Sequence, residues 1–222
     1  MKPSYTIEPI KKKIEQYTKE GKKIFATSSF QTHSIPLLHM LSGIDKTIPV
    51  YYLNTGFLFP ETLIFKDQLS ECLGLEFVGV NPLVSKSQQK DNNGSLLFTS
   101  DPDYCCYLNK IQPLEPILGE FDVWINGIRA SQNENRKQMK EEQPAPFGCI
   151  RYHPVLNWSN AMIYQYIHDN NLPAHPLEAK GYVSIGCEPC TRKFIEGDSE
   201  RNSRWFGLKK TECGLHTDLA GK

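Results

Sequence analysis

Near the start of the chain the apolar residues Ile7, Ile10, Ile14 and Tyr17 recur at helical spacing, with Lys11, Lys12 and Lys13 between them as a solvated edge. The spacing predicts an amphipathic helix within residues 1–22. The period then changes. KKIFATSSF is a short run of β-formers ending in hydroxyls, and THSIPLLHMLSGI after it carries the apolar positions of a helix packed on a sheet. The unit repeats: TIPVYYLNTG reads as a buried strand running into a turn at Gly56, and PETLIFKDQLSECLG as a helix with Pro60 in its first turn and Gly74 past its end. LEFVGVNP predicts a third strand, FDVWINGIR (Phe121 to Arg129) a further one, and NWSNAMIYQYIHDNNL a helix capped by Asn157 or Ser159. Strand and helix alternating in this way predict an α/β fold of βαβ units, hence a parallel sheet with right-handed crossovers.

Two stretches leave the pattern. QNENRKQMKEEQPAP, Gln132 to Pro146, is polar throughout and is expected to be a mobile loop. From His175 onward long apolar runs give way to glycine, cysteine and arginine, the composition of a functional segment more than of a core. The expected organisation is an N-terminal helix over 1–22, an α/β domain over 23–186 and a C-terminal segment over 187–222. A chain of 222 residues is long enough to bury one sizeable core. Its 25 Lys and Arg balance 25 Asp and Glu, so no global field draws it to nucleic acid or to an anionic membrane surface, and any anion site must be local. The chain does not open on an apolar signal segment, and no window approaches the roughly 18 apolar residues of a membrane span. The expectation is a soluble, cytoplasmic protein.

The candidate chemistry lies in the turns and the tail. In ATSSFQTHS, Ala26 to Ser34, a strand-to-helix turn would aim backbone N–H groups at a phosphate, and the hydroxyls of Ser28, Ser29, Thr32 and Ser34 would add donors; the same residues also suit plain helix capping. The turn has neither the P-loop nor the dinucleotide glycine pattern. Seven cysteines, Cys72, Cys105, Cys106, Cys149, Cys187, Cys190 and Cys213, read as metal or redox chemistry before disulfides in such a chain. The tandem Cys105-Cys106 and the Cys187-x-x-Cys190 pair supply four thiolates, a set that fits an iron-sulfur cluster or structural zinc; incidental thiols are the third reading. Adjacent cysteines diverge, which suits the separate irons of a cubane better than one tetrahedral ion. Cys72, at a core-type helix position, and Cys149 are expected to be small buried hydrophobes. Arg201 and Arg204, three apart, with Arg192 nearby, suit the oxygens of phosphate or sulfate, or else form a surface face balanced by Glu196, Asp198 and Glu200. Cys213 stands between Lys209-Lys210 and His216, neighbours that favour thiolate; it reads as a nucleophile or as an incidental tail cysteine.

Five stretches together, SSFQTHS, LNTGFLFPET, the 105–106 tandem, GYVSIGCEPCTR and KTECGLH, resemble the assimilatory adenylyl-sulfate and phosphoadenylyl-sulfate reductases, from about Lys22 to His216. The resemblance implies an adenine-nucleotide α-hydrolase-like fold with a mobile C-terminal tail. It also implies reduction of an activated sulfate to sulfite with electrons from thioredoxin or glutaredoxin, in cysteine biosynthesis. Members with both cysteine pairs carry one 4Fe-4S cluster and mostly use adenylyl sulfate, which assigns Cys105, Cys106, Cys187 and Cys190 as its ligands; the 3′-phosphorylated substrate is the alternative. By the same resemblance Cys213 is the nucleophile, His216 its partner at the substrate, and Lys110 a cation between cluster and substrate. Ser28, Ser29, Thr55, Gly56, Arg129, Arg201 and Arg204 are the implied substrate contacts. The chain departs from the family at Ala130, where a second basic residue is usual, and at Asn54, where aspartate is common. A homo-oligomer is compatible with the resemblance. Two other readings remain: a zinc-stapled nucleotide-binding module with Cys213 idle, and an adenylating ATP pyrophosphatase, which the missing S-G-G-x-D-S turn disfavours.

Overall fold

The structure, a computed structural model, describes residues 4–197, 200–208, 210, 212–217 and 219, without the side chains of Glu200 and Arg201. Among these residues a six-stranded sheet has the order β3-β2-β1-β4-β6-β5. Its strands are β1 (Ile24–Thr27), β2 (Val50–Leu53), β3 (Phe77–Val80), β4 (Val123–Asn126), β5 (Glu142–Pro144) and β6 (Ile150–Tyr152). All neighbours run parallel except the edge strand β5, which is antiparallel to β6. The alternation of side chains along a strand divides the core. Ile24 and Ala26 of β1, with Val123 and Ile125 of β4, face one layer; Phe25 and Trp124 face the other.

The first layer is built from α1 (Glu8–Lys19), α2 (Ile35–Ile44), α3 (Pro60–Leu73) and, later in the chain, α8 (Asn160–Asp169). Ile10, Ile14 and Tyr17 of α1 enter this same core, so the N-terminal helix is part of the domain. Pro60 stands in the first turn of α3, and Gly74 ends it in the left-handed region at φ 62°. Ser159 is the cap of α8, its hydroxyl accepting from the Met162 N–H. Three helices were not predicted by the strand-helix reading: α6 (Gln112–Glu120), which builds the second layer through Leu114 and Leu118, and α4 (Leu97–Ser100) and α5 (Pro102–Cys106), whose Leu97 and Cys105 pack in a separate cluster with Phe57, Leu108 and Cys187. A π-helical turn, Tyr107–Ile111, joins α5 to α6. Prolines masked these helices, yet Pro102 and Pro113 lie in first turns, where a missing N–H is harmless, and the Asp101 carboxylate caps α5 by accepting from Tyr104 N.

Two expectations are corrected. The polar stretch Gln132–Pro146 is not structureless: it contains α7 (Glu134–Lys137), capped by Asn133, and the edge strand β5. The pairing of β5 with β6 and the buried ion pair of Arg136 explain its order. Cys72 is exposed, because the buried stripe of α3 runs through Phe65, Leu69 and Leu73 and leaves Cys72 on the solvent side of the last turn. Cys149 is buried as expected, and burial pushes its thiol up to about 12. Among the described residues no helix is long and apolar enough to cross a membrane.

Candidate active site

The chain leaves β1 toward β2 on one side and returns to β4 on the other, which makes the carboxyl ends of β1 and β4 the switch point of the sheet. A cavity of about 170 Å³ opens there. Its floor is Thr27, Ser28 and Ser29 after β1, Leu53 and Thr55 after β2, and Asn126 and Gly127 at β4. The Asn126 Nδ2 amide is buried and has no protein partner among the described residues, an orphan donor at the base of the cavity. Two bulky residues in the wall, Phe30 and Trp205, hold left-handed backbone at φ 57° and 51°, the kind of strain that persists where surrounding packing fixes a site.

The upper wall comes from the C-terminal segment. An antiparallel bridge between Leu58 and Cys187, with the Glu188 N–H donating to the Phe57 carbonyl at 2.7 Å, clips the Cys187 loop onto the turn after β2. A second bridge, Thr191 to Arg204, folds the arginine back over that loop. Arg204 Nε donates to the Cys190 carbonyl at 3.1 Å, its guanidinium lies over the Trp205 ring, and its tip rests on Gly186, where any Cβ would collide with it.

Cys213 enters this cavity from the tail. Lys110 Nζ donates to its sulfur at 3.5 Å. A hydrogen bond from the Cys106 thiol holds the Cys213 thiol well below the ordinary range; burial opposes this, and the charges of Lys110 and Arg204 and the Leu215 N–H support it. The same hydrogen bond, then burial, pushes Cys106 upward. Burial would lower the Lys110 ammonium, but the charges of Cys187, Cys213 and Cys106 outweigh it and keep it protonated. Cys213 is thus a buried sulfur beside the Lys110 ammonium and near Arg204, surroundings that favour the thiolate over the thiol.

Two further arginines hold the tail on either side of Cys213. Arg136 donates to Glu212 from Nε at 2.7 Å and Nη2 at 3.0 Å, and Asn133 Nδ2 donates to the same carboxylate at 2.6 Å. Arg151 of β6 stacks over Trp124 at 4.3 Å, donates to the Leu215 carbonyl at 3.0 Å and donates to His216 Nδ1. Neither arginine was singled out in the sequence. Asn133 as a cap before Arg136 was a readable local signal, but its pairing with a residue 76 positions away was not.

The other expected site residues divide. Ser28, Ser29, Thr55, Lys110, Arg204, Cys213 and His216 all line the cavity. Thr32 is turned into the core, where its hydroxyl accepts from the His175 N–H. Gly56 is exposed at φ 73° beside the cavity and shapes the turn without lining it. Arg129 does not line the cavity either: it is buried behind it, donating to Asn160 Oδ1 at 2.6 Å and to His33 Nδ1 at 3.0 Å. The Arg201 side chain lies outside the described residues.

Beside the cavity, Cys105, Cys106, Cys187 and Cys190 line one narrow pocket together with Phe57, Phe98, Asn109 and Lys110. The π-helical turn after Cys106 directs Asn109 back, its Nδ2 3.6 Å from the Cys105 sulfur, and the Thr55 hydroxyl is 3.4 Å from the Cys187 sulfur. Burial, followed by the charges of its neighbours Cys187 and Cys190, pushes Cys105 up to about 11. Four thiols that repel one another when ionised, with donors aimed at two sulfurs and an ammonium alongside, fit a metal-thiolate centre whose metals would neutralise them. Among the described residues no group of three or more histidine, cysteine or carboxylate side chains is arranged around a single metal ion.

The mostly parallel sheet flanked by helices has the adenine-nucleotide α-hydrolase-like fold, which solved structures share. The phosphoadenylyl-sulfate reductase of Candida auris superposes with a TM-score of 0.65 at 20% identity over 85% of this chain and 98% of that one. The Candida glabrata FMN adenylyltransferase does so with a TM-score of 0.59 at 16% identity, over 93% of this chain and 73% of that one. Residues 23–193 match the phosphoadenosine phosphosulfate reductase domain. The chain is 40% identical over 205 residues to the adenosine 5′-phosphosulfate reductase of Chelativorans sp. (91% of this chain, 82% of the relative). It is 38% identical over 200 residues to the phosphoadenosine 5′-phosphosulfate reductase of Gloeobacter violaceus (88% and 83%). The chain therefore belongs to the phosphoadenosine phosphosulfate reductase family of oxidoreductases.

Proposed function

We propose that the chain reduces adenosine 5′-phosphosulfate to sulfite and AMP, with the thiolate of Cys213 as nucleophile and a dithiol protein of the thioredoxin or glutaredoxin type as reductant. One observation carries the reading: the Cys213 sulfur lies in the same cavity as the strand-end turns at Ser28 and Thr55, under Lys110 and Arg204. The thiolate attacks the sulfur of the sulfate group, the S–O bond to the phosphate breaks, and AMP leaves with that electron pair. A reductant thiolate then attacks Cys213 Sγ and sulfite departs; its second thiol resolves the mixed disulfide, so two electrons pass from dithiol to sulfur. An anion attacking an anion is the main barrier. Lys110 and Arg204 offset that repulsion in a site of low dielectric, and the turns align the nucleotide for in-line displacement.

Cys105, Cys106, Cys187 and Cys190 would hold a 4Fe-4S cluster, which when bound would fix the π-helical turn against the Cys187 loop and shape the field at the site. The relatives named above include reductases of both nucleotides, and the presence of all four cysteines favours the unphosphorylated one. Turnover with thioredoxin, measured at equal concentrations of the two nucleotides, should favour adenosine 5′-phosphosulfate. A strong preference for the 3′-phosphorylated form would reverse the substrate assignment.

A further inference from the structure

Two histidines line the cavity, His33 from the turn after β1 and His216 from the tail. Each has a buried arginine on the same ring atom. Arg129 Nη2 donates to His33 Nδ1 at 3.0 Å, and Arg151 Nη2 donates to His216 Nδ1. A guanidinium has only donors, so in both pairs Nδ1 must be the accepting, unprotonated nitrogen. The proton of the neutral ring then sits on Nε2. Both arginines are fully buried and fixed by other contacts: Arg129 by Asn160 Oδ1 at 2.6 Å, Arg151 by the Trp124 ring and the Leu215 carbonyl. His33 Nε2 is buried without a protein partner among the described residues, an N–H donor left at the edge of a ligand cavity.

We propose that Arg129 and Arg151 are positioning residues that lock His33 and His216 as Nε2–H tautomers, and that His33 thereby offers the cavity a neutral, fixed N–H donor to the oxygens of an anionic nucleotide ligand. Neither ring is a base in this arrangement. The assignment of adenosine 5′-phosphosulfate as that ligand rests on the function proposed above; the tautomers do not. Burial and then the Arg129 charge lower His33 to about 4, which keeps its ring neutral at pH 7. Burial and then the Arg136 charge lower Arg151 to about 9, which still leaves it protonated and donating. Arg129 thus acts from behind the cavity, through His33.

The test is a long-range ¹H–¹⁵N correlation spectrum of the holoprotein labelled with ¹⁵N-histidine at pH 7, with resonances assigned through His33→Gln and His216→Gln. Both rings should show an unprotonated Nδ1 and a protonated Nε2. Arg151→Met should spread His216 over both tautomers and leave His33 unmoved; if that variant does not fold, the wild-type spectrum decides alone. Titration with adenosine 5′-phosphosulfate adds a functional reading. His33→Leu should weaken binding about tenfold. Glutamine, which carries an N–H at the ε position, should recover most of that loss. Either ring found protonated on Nδ1 or as imidazolium overturns the proposal, and so does glutamine behaving no better than leucine. The predicted tautomers in a protein that does not turn over adenosine 5′-phosphosulfate would support the positioning role and overturn the reaction instead.

Discussion

At the scale of single residues, the site depends on how closely groups approach. Gly186 has no side chain where the Arg204 guanidinium lies against its backbone, so Gly186→Ala must displace that guanidinium while the fold has room to remain. We expect Gly186→Ala to raise KM for adenosine 5′-phosphosulfate about tenfold, the effect of losing one charge-assisted contact, with the unfolding midpoint almost unchanged. Steady-state kinetics beside a urea titration checks this; a destabilised protein with unaltered KM would contradict it. The candidate residues Cys213 and the two cysteine pairs were legible because they stand in short, chemically distinctive strings, and Lys110 entered through the resemblance; the fold brings them to one cavity and the pocket beside it. Residues that act through a distant partner were not legible. Arg151 reads as one basic residue in an apolar strand, and only the fold brings it to Leu215 and His216. Arg129 was read as a substrate contact, since a sequence gives its place at a strand end but not that its side chain turns inward to His33.

At the scale of elements, the tail is fastened by polar contacts as well as by Leu215 and Leu219, which pack with Phe25, Leu114 and Trp124. Arg136 and Glu212 form an ion pair with side chains only 5% and 1% exposed, and Glu212 Oε1 also accepts from the Cys213 N–H. Breaking one side of a buried pair costs about 3–5 kcal/mol, because the remaining charge stays desolvated. Here that cost can be avoided by undocking the tail. Glu212→Gln should therefore accelerate tryptic cleavage near Lys210 by at least about tenfold and leave the global free energy of unfolding within about 1 kcal/mol of wild type. Unchanged tail cleavage would show that the pair does not hold the tail. The segment that pairs with Glu212 was the one expected to be a mobile loop, and its polarity was a sound reason for that expectation. Its order comes from the pairing of β5 with β6 and from the buried contacts of Arg136 and Asn133 with Glu212 of the tail, which local composition does not encode. The helical run from Pro102 to Glu120 was hidden by its prolines, although Asp101 before Pro102 is a readable start signal.

At the scale of the whole molecule, the alternating strands and helices of the first half predicted the parallel sheet, and the register of β1 with β4 places the cavity where that topology requires. The order of strands and the antiparallel edge β5 depend on pairings between distant segments and were not readable. The packed core also carries a pH signature. Burial lowers His33 and His175 to about 4 from an unfolded value near 6.5, with the Arg129 charge adding to the effect at His33 and Glu61 opposing it at His175. The unfolded chain binds these protons first as pH falls. The stability tied to the neutral rings is therefore complete above about pH 6.5 and declines toward pH 4, with a slope of up to about 1.4 kcal/mol per pH unit for each histidine. Urea midpoints should fall steadily between pH 6.5 and 4.5; a flat profile would contradict the burial of both rings as neutral species. The central claim is that Cys213 takes the sulfonate group from the nucleotide, and intact mass after mixing enzyme with adenosine 5′-phosphosulfate in the absence of any reductant tests it most directly. The account predicts a gain of one SO₃ that is lost on adding thioredoxin and never forms in Cys213→Ser, whereas an unchanged mass in protein that turns over the nucleotide would contradict it.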